Sequence, residues 1–148
     1  MGMKIGDNCS IQSGVICDYS HCWLIKISNN VTIAPQAYLF ANDASTKMIN
    51  NYTKIGSITI EDNVFIGARA LIMLGVTIGE NSIVAASSIV TKPIPPKSVV
   101  DGNPARVITT IDQYEVSQNK KFNDNTTKIN NRTYTIGGNI SEVSKREV

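Results

Sequence analysis

A single side chain in this sequence titrates near neutrality. His21 is the only histidine among 148 residues, and an imidazole is the group best matched to taking a proton from a hydroxyl at physiological pH. Two thiols flank it in Cys17-Asp18-Tyr19-Ser20-His21-Cys22. Thiolate and imidazole are zinc ligands, but no second ligand pair follows elsewhere in the chain, so no metal is expected. Cys9, Cys17 and Cys22 form an odd count without paired spacing, which suits a reducing compartment better than a disulfide framework. Asp43 is a further candidate base, and a poor one unless burial raises its pKa well above the ordinary value of about 4.

Whatever positions these groups must be a single domain, because a chain of this length builds one core comfortably and not two. The formal net charge is +2, aromatic residues make up 6%, and no lysine or arginine run stands out. Nucleic acid therefore has no footprint, and a small molecule is the better partner. The apolar stretches fall far short of the roughly 20 residues that span a bilayer, and Met1-Gly2-Met3-Lys4 does not open an apolar signal core. The expectation is a cytoplasmic protein with no membrane insertion.

The organising signal is a repeat of six. Ile60, Ile66, Ile72, Ile78, Val84 and Val90 recur without interruption, and four positions after the first five stand Val64, Ala70, Val76, Ser82 and Ser88. The large column fills a core and the small column fits corners. Helices would show apolar residues at i+3, i+4 and i+7, and ordinary strands would alternate over longer runs before a turn. Three such hexapeptides make a triangular coil of about 18 residues, stacked about 4.8 Å from the next, which predicts an all-β fold, a parallel β-helix.

The first half carries the same columns with two breaks. Ile5 and Ile11 lead to Ile27, Ile33 and Leu39, so about four residues are inserted around Cys17 to His21. Roughly 15 more are inserted between Asn42 and Ser57, an extended loop of about residues 42–57. The triplets Gly6-Asp7-Asn8, Ser28-Asn29-Asn30, Glu61-Asp62-Asn63 and Gly79-Glu80-Asn81 are predicted corners, of residue types that tolerate left-handed backbone. Pro93-Ile94-Pro95-Pro96 removes three amide donors and is expected to stop further stacking. After Ile111 the columns vanish. This divides the chain into a domain over 1–111 and a tail over 112–148, in part mobile or packed on the prism. Within the tail a short helix is expected over Asp112 to Lys121 and a strand over Arg132 to Ile140.

Two segments near the end of the repeat, Ile83-Val84-Ala85-Ala86-Ser87-Ser88-Ile89-Val90-Thr91-Lys92 and Val100-Asp101-Gly102-Asn103-Pro104-Ala105-Arg106-Val107-Ile108, resemble the closing coil and the Asn-Pro-Ala-Arg/Lys signature of hexapeptide-repeat acyltransferases, especially sugar O-acetyltransferases of the galactoside, maltose and nodulation-factor type. With the weaker coils before them, the resemblance covers roughly residues 3 to 111. It implies that the β-helix is left-handed, that subunits form a homotrimer, and that acetyl-CoA lies in a groove between neighbouring prisms. On this chain Gly67-Ala68 and Ala85-Ala86 match places where small residues let the cofactor approach the backbone, with corner geometry as the competing account. Thr91, Lys92 and Arg106 match the polar end of the groove, where cationic groups hold nucleotide phosphates. As isolated charges they read as surface residues.

Ile33-Ala34-Pro35 through Ser45-Thr46 resembles the family segment that enters the loop. Capsule and lipopolysaccharide modifying relatives carry a catalytic histidine there, in His-Asp-Ala-Ser-Thr, whereas this chain has Asn42-Asp43-Ala44-Ser45-Thr46. An amide cannot take a proton from an acceptor hydroxyl. Three accounts stay open. His21 serves as the base instead, one 18-residue coil from Leu39 and within about 10 Å of Asn42; the subunit is a catalytically silent binder of CoA or a sugar; or the histidine has been replaced in this particular sequence. Asn42 retains the capacity to hold a hydroxyl or a developing oxyanion. The activity implied by the resemblance is acetyl-CoA-dependent O-acetyl transfer to a hydroxyl of a sugar or surface polysaccharide.

Overall fold

The computed structural model describes residues 2–124, in two units, one running to Gln113 and one from Tyr114. Apart from one two-stranded pair, the strands of the first unit wind through three faces of a prism. The first face holds Lys4–Ile5, Ile25–Ile27, Ile58–Ile60 and Thr77–Ile78; the third holds Ile16–Cys17, Tyr38–Leu39, Leu71–Ile72 and Ile89–Val90. Between them the second face holds Ser10–Ile11, Thr32–Ile33, Phe65–Ile66, Ile83–Val84 and Ser98–Gly102, all parallel. The fold is a left-handed parallel β-helix followed by the helix Ile111–Asp124. Most strands are two residues long because a six-residue period must also contain a corner.

Each hexapeptide sends one large aliphatic side chain inward. Ile27, Ile33, Leu39, Ile60, Ile66, Ile72, Ile78, Val84 and Val90 are each no more than 1% exposed. In the last complete coil the small column turns polar, and its hydroxyls are satisfied: Ser82 Oγ donates to Pro95 O at 3.1 Å, and Ser88 Oγ accepts from Gly102 N at 3.2 Å. A buried hydroxyl without such a partner would be costly.

The predicted corners are left-handed at their last residue, with φ of 55° to 57° at Asn8, Asn30, Asn63 and Asn81. Asparagine tolerates that conformation, and its amide bonds the next coil, Asn8 Nδ2 to Asn30 Oδ1 at 2.8 Å and Asn63 Nδ2 to Asn81 Oδ1 at 3.1 Å.

Strand register measures both insertions. Ile5 pairs with Ile27 and Cys17 with Leu39, 22 residues apart; Ile27 pairs with Ile60 and Leu39 with Ile72, 33 apart. Above them Ile60 pairs with Ile78 and Ile72 with Val90, 18 apart. The excesses over 18 are the expected four and 15.

The proline segment does not stop the stacking. Ile94 bridges in parallel to Ile78, with its N–H on Thr77 O at 2.8 Å, and Val99 and Val100 then pair with Ile83 and Val84. Pro93, Pro95 and Pro96 are exposed, so the amides they lack are not those the core needs. What closes the second face is an antiparallel hairpin in which Ala105–Thr110 folds back on Ser98–Gly102 through the cis Asn103-Pro104 bond.

The helix Ile111–Asp124 begins one residue before the expected start and runs three past the expected end. The strand expected over Arg132 to Ile140 lies outside the described residues. No helix among the described residues is long and apolar enough to cross a membrane.

Because Ile66 fills the core between coils on both sides, Ile66→Ala is expected to cost about 2–5 kcal/mol. Urea denaturation should show the midpoint falling at unchanged slope.

Candidate functional site

The two insertions leave the prism at the same corner, the one joining the third face to the first face of the next coil. Asp18 follows Cys17, and its N–H bonds Leu39 O at 2.8 Å. From there the first insertion runs through the single 3-10 turn Cys22–Leu24 back to the first face at Ile25. One coil on, the second leaves after Leu39. It is an organised loop: Asn42–Asp43 pairs antiparallel with Lys54–Ile55, and the helix Lys47–Asn50 lies between them.

This shared exit brings three side chains together. Asn42 Nδ2 donates to Asp18 Oδ2 at 2.8 Å and lies 3.2 Å from His21 Nδ1. Asp18 Oδ1 accepts the backbone N–H groups of Ser20 and His21 at 3.0 and 3.1 Å. Asp18 is 4% exposed in its side chain and His21 22%, so the carboxylate is buried under its donors while the imidazole keeps an open edge. The Trp23 ring packs at a tilt of 49° with its centroid 5.3 Å from that of His21.

His21 and Asn42 are thus in contact, although the coil arithmetic that related them needs correction. Leu39 is partnered by Cys17, not by His21, because the inserted residues lengthen that coil to 22. His21 belongs to the insertion itself. Asp18, the residue the sequence reading passed over, ties the pair together. Its signal was positional: it is the first residue past the last regular strand position of its coil.

Asp43 does not meet the condition set for a base. It has no burial to raise its pKa; instead the Ser45 hydroxyl, then the Ser45 N–H at 2.9 Å, and then the Lys54 charge hold its carboxyl below the ordinary range. Cys17 is pushed the other way, its thiol raised first by burial and then by Cys22, so it is a poor nucleophile. Among the described residues no group of three or more His, Cys, Asp and Glu is arranged to hold a metal ion.

The other expected contacts fall in two places. Gly67 and Ala85 follow the second-face strands one above the other. A Cβ on Gly67 would stand 2.5 Å from Ala86 N and 2.7 Å from Ala85 C, so the coil itself accounts for this glycine. Ala68 and Ala85 are half-buried and Ala86 exposed at the same corner. Lys92 and Arg106 meet in a cleft of about 250 Å³ that is floored by Ile94 and Ala105. Thr91 is exposed and is not part of that cleft. It follows Val90 as Asp18 follows Cys17, on the same corner of the prism, since Cys17, Leu39, Ile72 and Val90 form one column. The cleft and the His21 cluster are therefore separated along the axis by two to three coil spacings, about 10–14 Å.

Residues 57–92 match the family model described as the hexapeptide repeat of succinyl-transferase. A Staphylococcus aureus (strain Mu50) protein assigned as an acetyltransferase is 35% identical over 145 residues, an alignment covering 82% of this chain and 71% of the relative. The chain belongs to the hexapeptide-repeat acetyltransferase family. Galactoside O-acetyltransferase of Escherichia coli K12 is 41% identical over 102 residues, covering 66% of this chain and 47% of that enzyme. Among solved structures, a hexapeptide-repeat acetyltransferase of Vibrio cholerae superposes with a TM-score of 0.68 at 34% identity, covering 74% of this chain and 62% of the other. The same protein has been solved with acetyl-coenzyme A, matching at TM-score 0.55 and 26% identity over 72% of this chain and 70% of that one. This family member spans about half the length of the E. coli enzyme and of a fission yeast relative, 47% and 48%.

Two outcomes follow from the geometry of this acetyltransferase-family site. Gly67→Ala should lower stability by about 1–3 kcal/mol with no ligand present, measured by chemical denaturation. Ser45→Ala should raise the Asp43 titration midpoint toward the ordinary carboxyl value, followed by carbon NMR. A depressed carboxyl stabilises the fold above its unfolded pKa and loses that contribution as pH falls through the folded pKa, so the variant narrows that window from the acid side.

Proposed function

We propose that this chain is an acetyl-CoA-dependent O-acetyltransferase whose acceptor is a hydroxyl of a sugar or surface polysaccharide, with His21 as the base. The observation that carries the reading is the convergence of Asp18, His21 and Asn42 on the corner that also leads to Lys92 and Arg106. His21 takes the hydroxyl proton as the new carbon–oxygen bond forms and the thioester carbon–sulfur bond breaks, and it returns that proton to the departing sulfur. The buried Asp18 carboxylate supports the imidazolium that exists in between. Lys92 and Arg106 hold the phosphates of the donor, and the 10–14 Å separation suits an extended donor lying along stacked coils. Ala68, Ala85 and Ala86, with Gly67 between coils, leave the neighbouring corner low enough for close approach, and Thr91 contributes a hydroxyl at the same end. A homotrimer, with the donor between prisms, and a cytoplasmic location belong to the same proposal.

A second reading has its own observation. Asn42 stands where the family resemblance expects histidine, and its amide has no basic lone pair, which favours a silent subunit that binds CoA or a sugar.

Release of free CoA from acetyl-CoA with a pool of sugar acceptors tests both. His21→Ala is expected to cut turnover by about 10²–10⁴-fold while CoA binding persists. No turnover in the starting protein, with turnover appearing in Asn42→His, would establish the silent subunit instead.

A further inference from the structure

The amide of Asn42 has one nitrogen with two hydrogens, and both have a destination: Asp18 Oδ2 at 2.8 Å and His21 Nδ1 at 3.2 Å. The amide cannot be turned round without setting its oxygen against the carboxylate, which accepts hydrogen bonds and donates none. Asp18 Oδ1 is committed to the N–H groups of Ser20 and His21, and its 3.5 Å approach to His21 Nδ1 is longer than an ordinary hydrogen bond. We infer that Asp18 pins the Asn42 amide so that Asn42 holds His21 Nδ1 as an acceptor, and that His21 rests as the Nε2–H tautomer.

That tautomer presents a donor, not a lone pair, at the ring atom left for a ligand. It can hold an acceptor oxygen or a thioester carbonyl, but it cannot take a proton at Nε2 until the ring proton moves to Nδ1. The Nδ1–H form gives up the Asn42 bond and turns its proton toward Asp18 Oδ1. Asn42 is then a positioning residue that keeps His21 in its unreactive form. The tautomer stands on the geometry alone; its kinetic consequence rests on His21 being the base, as proposed above.

Because the chain has one histidine, the imidazole nitrogen-15 spectrum reports this tautomer without assignment. Recorded on the whole protein at a pH about two units above the usual histidine pKa of ~6.5, it should show a pyridine-like Nδ1 and a pyrrole-like Nε2. In Asp18→Asn, nearly isosteric, the new amide faces Asn42, which turns its oxygen toward Nδ1, and the two signals should exchange character. In Asn42→Ala the Nδ1–H form should dominate, and acetyl transfer should rise by about tenfold, the scale of one net hydrogen bond. A protonated Nδ1 in the starting protein, or an Asp18→Asn spectrum identical to it, overturns the inference. An exchanged spectrum in Asn42→Ala without a rise in rate supports the tautomer and overturns His21 as the base.

Discussion

Parallel pairing between coils sets the terms for every other feature of this protein. A residue on one coil is hydrogen-bonded to its counterpart on the next, and the large aliphatic of each hexapeptide sits on the large aliphatic below it. Extra residues inserted within a strand would shift its register and drive an inward isoleucine out of the core. They are tolerated only at a corner, where the chain is between faces. Both insertions obey this, and because they use the same corner of successive coils they are thrown out beside one another. The cluster of Asp18, His21 and Asn42 follows from a packing rule before it is a matter of chemistry.

Much of this was legible in the residues. The strict column from Ile60 to Val90 defines three faces and a core, the recurrence of Asn at 8, 30, 63 and 81 marks one left-handed corner, and the positions of Ile5, Ile27 and Ile60 count the inserted residues to within one. Where each insertion lies within its coil is harder to read, because Ile5 and Ile27 bound it only by the sum of three hexapeptides. Hence His21 was related to Leu39 through an 18-residue coil when the coil is 22 residues long. The proline segment misled for a different reason: a missing amide ends a sheet only if that amide faces the neighbouring strand, and facing is not visible in composition. Asp18 was illegible as a site residue since its role depends on three donors contributed by residues 20, 21 and 42, which only the folded corner assembles.

Burial and exposure divide the labour within the cluster. Asp18 is enclosed and saturated with donors, which makes it a fixed reference for the other two groups. His21 keeps an open edge toward solvent and the Trp23 ring against its face. Asn42 is held by both. A fully buried arrangement of these types would be rigid and inaccessible, and a fully exposed one would leave the imidazole free to choose its partners. The charge pair Lys92 and Arg106 lies on coils without insertions, so a reaction running between the two places would join a loop-built end to a scaffold-built end.

The unequal spacing of the coils also orders the assembly of the molecule. The third and fourth coils meet through contacts 18 residues apart, whereas the second meets the third across 33. Closing the longer loop costs about 0.5 kcal/mol more in chain entropy, and a solenoid grows by adding neighbours to whatever has formed first. The stretch from Ile58 to Val90 is therefore the natural nucleus, and the two coils bearing His21 and Asn42 zip onto it afterwards. They end in a rim where Ile5 and Ile11 remain 48% and 39% exposed, while their column mates Ile27 and Ile33 are sealed. The chemical end of this prism is the last to fold and the first to fray.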